Sequence, residues 1–171
     1  MQAGETISRQ DLLPVFLGML FPERTPRESS LIADFLQAHI HEYDRFAFSV
    51  RVGKGVPPNP DHLPGVQRQS VRNSQMRIDV MTWQGEQPFI FEVKERAIHA
   101  ALGQVQTYSH LWQEDHPDAP APILGVIART IEPDMERVFQ TNGVTVYLYP
   151  PAAGSGGTTS GGLSAGDGAP A

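Results

Sequence analysis

Asp79, Glu92 and Lys94 are the residues of this chain whose types and spacing could do chemistry together. They stand in two short segments, "MRIDVMTW" and "PFIFEVK", separated by "QGEQ". If both segments are strands joined through a two-residue loop at Gly85 and Glu86, the numbers of facing residues sum to 171 and Asp79 lies opposite Glu92. Glycine at the first loop position suits a type II' turn. Facing residues of an antiparallel pair project to the same side, and Lys94, two positions beyond Glu92, joins them there together with Arg77. Ile78 and Val80, with Phe91 and Val93, are expected on the other side, in the core. Two apposed carboxylates repel unless positive charge lies between them, and a divalent cation is the usual remedy. Such an ion could neutralise a phosphodiester oxygen and acidify an attacking water. Asp79 and Glu92 would hold it, the Val93 carbonyl offers a further oxygen, and Lys94 could sit by the water and the charge developing on phosphorus.

The competing reading is a ladder of surface ion pairs on an exposed sheet face. Three features weigh against it. Lysine is scarce, two residues against eleven arginines, so Lys94 departs from the chain's habit. The strand around Glu92 and Lys94 is otherwise strongly apolar, which implies a cleft. The segment that follows places Gln104 and Tyr108 at i, i+4, on one helix face.

These residues need elements to position them. "RESSLIADFLQAHI" repeats apolar residues at Leu31, Ile32, Phe35, Leu36 and Ile40, and Thr25-Pro26 supplies a cap and a first-turn proline, so a helix is expected over about 26–42. Phe46, Phe48, Val50 and Val52 alternate with small or polar residues, the period of a half-buried strand ending at Gly53. Residues 53–74 read as a long connection. The two strands of the hairpin come next, then a helix over "AIHAALGQVQTYSHLW", a buried strand at "PILGVIA", a short helix at "PDMERVFQTNG" and a last strand at "VTVYLY". One domain over residues 1–151 is expected, and the small, polar residues 152–171 read as a flexible tail rich in Gly, Ser and Ala.

Composition limits the chemistry. The absence of cysteine removes disulfides, thiolate zinc sites and iron-sulfur clusters, and favours a hard ion, magnesium or manganese. His39 and His41 cannot face one ion from i, i+2, and the other histidines lack zinc spacing; "GKG" at 53–55 lacks the pattern of a phosphate-binding loop. Trp83 and Trp112 could stack on bases, but packing in core or turns is the commoner use of such residues. A net charge of -6 argues against nonspecific coating of nucleic acid. The stretch from Arg51 to Arg77 nevertheless carries Arg51, Lys54, Arg68, Arg72 and Arg77 against Asp61 alone, a local +4. It could meet a polyanion, or be a solvated loop. No apolar run long enough to span a bilayer and no signal-peptide order at the amino terminus lead to the expectation of a soluble, cytoplasmic protein.

"RIDV" at 77–80, "FEVK" at 91–94 and "QVQTY" at 104–108 together resemble the D, ExK and QxxxY signature of the PD-(D/E)xK nuclease superfamily, in the branch with RecB-type nucleases and lambda exonuclease. The resemblance covers about residues 26–130. It implies an α/β restriction-endonuclease-like αβββαβ core with a mixed central sheet, here extended by one helix and one strand. It implies that Asp79 and Glu92 bind metal, that Lys94 is the catalytic lysine, and that Gln104 and Tyr108 line the site and contact the substrate backbone. An acidic residue of the first helix often joins such sites. Glu28 fits that place and Asp34 does not, although Glu28 could equally be a favourable charge at the helix start. The implied activity is magnesium- or manganese-dependent hydrolysis of DNA, with the Arg51 to Arg77 segment on the DNA backbone. Two other readings stay open: a noncatalytic module of the same fold that docks a protein partner or assembles with itself, and a nuclease acting on RNA.

Overall fold

The computed structural model describes residues 1–151, so the expected tail over 152–171 lies outside the described residues. In chain order the elements are strand β1 (Thr6–Ser8), helix α1 (Arg9–Leu12), α2 (Pro26–His39) running into a 3-10 turn at Ile40–Glu42, β2 (Arg45–Val52), α3 (Pro64–Ser74), β3 (Met76–Gln84), β4 (Gln87–Ala97), α4 (His99–Asp115), β5 (Ile123–Ile131), α5 (Met135–Thr141) and β6 (Val144–Leu148). The six strands form one sheet in sequence order. β1 to β4 are antiparallel neighbours, while β4, β5 and β6 run parallel. The expected mixed α/β core, with its added final helix and strand, is therefore present.

Helix α2 starts where the sequence predicts. Thr25 caps it by accepting from the Glu28 N–H, Glu28 returns a bond to the Thr25 N–H, and Pro26 occupies the first turn. Its buried stripe, Leu31, Ile32, Phe35 and Leu36, covers one face of the sheet through Phe46, Phe48, Val80, Phe91, Val93 and Ile127. Helix α4 covers the other face with Ala101, Val105, Tyr108 and Trp112, and α5 extends that layer with Met135 and Phe139. The core follows the alternation of β5, whose Ile127 faces α2 while Val126 and Ala128 face α4.

Phe91 sits at the centre of the α2 layer among the rings of Phe35, Tyr43 and Tyr147. Its place requires glycine on the adjacent strand: a Cβ on Gly125 would lie 2.6 Å from Phe91 Cδ1 and 2.7 Å from Cε1. Gly125→Ala should therefore overpack the core by about 1–3 kcal/mol, lowering Tm in a calorimetric scan by roughly 3–10 °C. An unchanged Tm would mean that Phe91 can move aside at no cost.

The structure departs from the sequence expectation in three respects. Residues 64–74, expected in a long connection, form α3. Proline at its start favours the helix, but none of its residues is buried, so no apolar stripe marks it. β1 and α1 were not foreseen. The third departure is Ile78, which packs with Val52, Met81, Ile90, Tyr108 and Trp112 on the α4 side, whereas Val80 packs on the α2 side. Alternation breaks between them at the level of Ser49, which has φ +56° on the neighbouring strand; the β2–β3 register pairs Phe48 with Val80 and Val50 with Ile78 but leaves out Ser49 and Asp79.

Candidate active site

The hairpin has the expected register. Val80 faces Phe91 and Gln84 faces Gln87 across the Gly85-Glu86 loop, with Gly85 at φ +57°. That ladder stops at Val80 and Phe91, one pair before Asp79 and Glu92. Asp79 therefore stands where pairing on both sides of β3 is interrupted. Its carboxylate replaces a main-chain acceptor, with Oδ2 taking the Val93 N–H at 2.9 Å. The N–H and C=O of one residue in an extended strand point to the same side, so the Val93 carbonyl faces the same opening.

Where the strands part there is a cleft of about 450 Å3. It gathers Asp79, Glu92, Lys94, Gln104 and Tyr108, and with them Glu28, Arg51 and Arg77. Lys94 Nζ lies 2.6 Å from Glu92 Oε1. Gln104 donates to the Tyr108 hydroxyl at 3.3 Å. Asp79 and Glu92 are 4% and 1% exposed, so neither belongs to a solvated surface ladder.

The cleft also contains Arg24, which the sequence reading missed. Its Nη1 lies 2.5 Å from Asp79 Oδ1, and its side chain is as buried as that of the aspartate. Nη2 donates to Ser49 Oγ at 3.4 Å, and that hydroxyl donates to the Pro22 carbonyl at 2.6 Å. Among the described residues Arg24 Nε has no partner. One signal was available: a cation just before a helix start faces the positive end of the dipole, an unfavourable place unless a carboxylate compensates. Asn73, Gln75 and Met76 complete the wall and were likewise unforeseen.

Burial and the neighbouring Asp79 charge push the Glu92 carboxyl up to about 7, against the opposing pull of Lys94. Burial also pushes Asp79 up, with Arg24, the Val93 N–H and Lys94 working the other way. Both Asp79 oxygens have donors, whereas among the described residues Glu92 Oε2 is buried without one. A proton taken up by the pair on acidification therefore goes first to Glu92. Burial, together with the Glu92 and Asp79 charges, raises Tyr108 and keeps its hydroxyl neutral. An acid whose pKa is raised by folding is most stabilising when protonated, and that contribution is lost as pH climbs through the folded value. Metal-free protein should thus lose stability between about pH 5 and about pH 7, and Glu92→Gln should flatten that slope in thermal scans.

The oxygen set suits a hard cation: two carboxylates, one of them with an orphaned oxygen, and a carbonyl facing the same opening. Glu28 lines the cleft and also serves the helix start. Burial works against its carboxylate, but bonds from the Thr25 N–H and hydroxyl and the charges of Arg24 and Lys94 prevail and hold it below the usual range. Its Oε2 is committed to the cap. Among the described residues no three His, Cys, Asp or Glu side chains converge enough to hold an ion by themselves. Asp34 is away from the cleft, paired with Arg129.

The basic segment divides. Arg51 and Arg77 both bind Glu23, at 3.3 and 2.6 Å, and this shared pairing holds the Glu23 carboxylate below its usual range. Arg68 and Arg72 lie outside the cleft, in a neighbouring groove, and Lys54 lines neither. Trp112 stacks on His116 and Trp83 lies under Arg45, both as packing. Among the described residues no helix is long and apolar enough to cross a membrane.

No family model matches the sequence, and no curated protein does. Among solved structures, the chain is similar to a repair endonuclease from Pyrococcus abyssi, with 14% identity and a TM-score of 0.45 over 79% of this chain and 50% of that one. It is also similar to EndoMS in a complex with double-stranded DNA, with 13% identity and a TM-score of 0.42 over 78% of this chain and 49% of that one. The chain spans about half the length of both.

Proposed function

We propose that this chain is a metal-dependent deoxyribonuclease of the PD-(D/E)xK type. The observation that carries this reading is the convergence of Asp79, Glu92 and Lys94 in one cleft, with an acceptor of Glu92 buried and unpartnered. Asp79, Glu92 and the Val93 carbonyl would hold magnesium or manganese, with Glu28 at the margin. When bound, such an ion polarises the phosphodiester and lowers the pKa of a water. Lys94, anchored by Glu92, orients that water and stabilises charge developing on phosphorus. Gln104 and Tyr108 offer neutral donors to the nonbridging oxygens. Arg68 and Arg72 in the neighbouring groove, with Arg51 and Arg77 in the cleft sharing Glu23, would meet the DNA backbone, and Lys54 would add positive charge outside both cavities.

The test is cleavage of labelled linear and circular DNA by the purified chain with added magnesium or manganese, with EDTA as the control. A labelled RNA of the same sequence decides between the two nucleic acids. Intact DNA in every metal condition would reject the reading.

One observation favours a second reading, a noncatalytic module of the same fold. Arg24 and Lys94 already neutralise Asp79 and Glu92 from within. Calorimetric titration with manganese separates the two: a nuclease centre takes up the ion and loses it in Asp79→Asn, whereas a self-neutralised module takes up none.

A further inference from the structure

Beside the carboxylate cleft lies a second groove, of about 620 Å3, between α3 and the kinked end of β2. Its floor and sides are apolar at Val50, Pro58, Pro64 and Val71, and its rim carries Arg68 and Arg72. No carboxylate lines it, and among the described residues neither Arg68 nor Arg72 has an acidic partner. The groove and the cleft share two lining residues, Arg51 and Gln75, so one adjoins the other.

The outer wall is α3, a helix with no buried residue. It is tied by hydrogen bonds at its carboxyl end: Arg51 donates to the Arg72 carbonyl at 2.6 Å, the Val56 N–H to Ser74 Oγ at 2.7 Å, and Gln75 to the Gly53 carbonyl at 2.6 Å. Gly55, at φ +67°, is required here, since a Cβ would lie 2.7 Å from the Val71 carbonyl. The wall is thus held upright without being packed, which leaves its inner apolar side chains facing the groove.

We infer that this groove binds single-stranded DNA and feeds it to the carboxylates. A duplex offers phosphates outside and hides the faces of its bases, so it would use the arginines and leave the apolar wall unmatched. An unpaired strand presents both: phosphates for Arg68 and Arg72, and base faces for Val50, Pro58, Pro64 and Val71. This inference rests on the nuclease reading for the identity of the polymer, while the groove itself is a separate place from the carboxylates.

The experiment is fluorescence anisotropy on the full chain in EDTA, where no cleavage occurs, using labelled oligothymidylate, oligouridylate and a DNA duplex of equal length. Oligothymidylate should bind at least tenfold more tightly than the duplex. Arg68→Ala with Arg72→Ala should reduce the salt slope by about 1.4, at about 0.7 per lost phosphate contact. The Arg72 carbonyl that receives Arg51 survives this change, so α3 keeps its tie. Val71→Asn, which removes apolar surface from the wall without adding charge, should weaken oligothymidylate severalfold and the duplex hardly at all. Equal or tighter duplex binding, or binding indifferent to these variants, would overturn the groove. Tighter oligouridylate would overturn the choice of DNA. Arginine-dependent single-strand binding without any cleavage in added metal would keep the groove and reject the nuclease instead.

Discussion

Lys94→Ala should leave a folded protein that cuts DNA about 10² to 10³ times more slowly, the usual loss when one donor to developing charge is removed. Its side chain is 35% exposed, but it is the counterion of the buried Glu92, so the thermal midpoint should fall above neutral pH and recover where Glu92 takes up a proton. Lys94→Arg should rescue little, because a planar fork in place of a compact ammonium cannot occupy the same point beside Glu92. Asp79→Asn should show a comparable loss for a different reason, weakened ion binding, which calorimetry would report directly. Asparagine retains one oxygen for the Val93 N–H but, like alanine, removes the carboxylate that Arg24 pairs with, so its thermal midpoint is to be measured beside its activity. Rates equal to the parent in Lys94→Ala and Asp79→Asn would show that these residues are not the catalytic centre.

The second large effect concerns Arg24. Arg24→Met should destabilise the metal-free protein by about 3–5 kcal/mol, because it leaves the Asp79 carboxylate buried without its cation. A divalent ion should restore much of that loss, since whatever binds only the folded state stabilises it by an amount that grows with the logarithm of its concentration above Kd. The manganese-induced rise in Tm should therefore be larger for Arg24→Met than for the parent, and the ion should bind the variant more tightly. Equal rises in both proteins would show that Arg24 and the ion do not compete for the same negative charge. Together with Lys94 on Glu92, Arg24 gives the ion-free site an internal counterion for each carboxylate.

Much of the site was legible because it depends on short-range geometry. A two-residue loop leaves one register for its hairpin, so the pairing from Gln84 with Gln87 to Val80 with Phe91 followed from counting, although the ladder ends one pair short of Asp79 and Glu92. Gln104 and Tyr108 followed from helical spacing, and their arrival in the same cleft follows from α4 packing on the sheet face that bears Glu92. Helix α2 was legible from its stripe and its cap.

Other parts were hidden for physical reasons. Helix α3 buries nothing, so no periodic apolar signal could reveal it. Ser49, at φ +56°, donates its hydroxyl to the Pro22 carbonyl across 27 positions, and beside it Ile78 packs on the opposite side from Val80. Glu28 could be read as a ligand or as a cap, and the structure gives its carboxylate to the cap.

By itself the sequence determined which residues face each other across one tight turn, which share a helix face, and where the capped helix begins. These are consequences of chain geometry over a few residues. Only the tertiary structure decided that the strands part at Asp79, that Arg24 enters from 55 positions upstream to neutralise it, and that Glu23 ties up Arg51 and Arg77. Those partners are selected by the need to balance buried charge among segments brought together from afar, and no local pattern records that need.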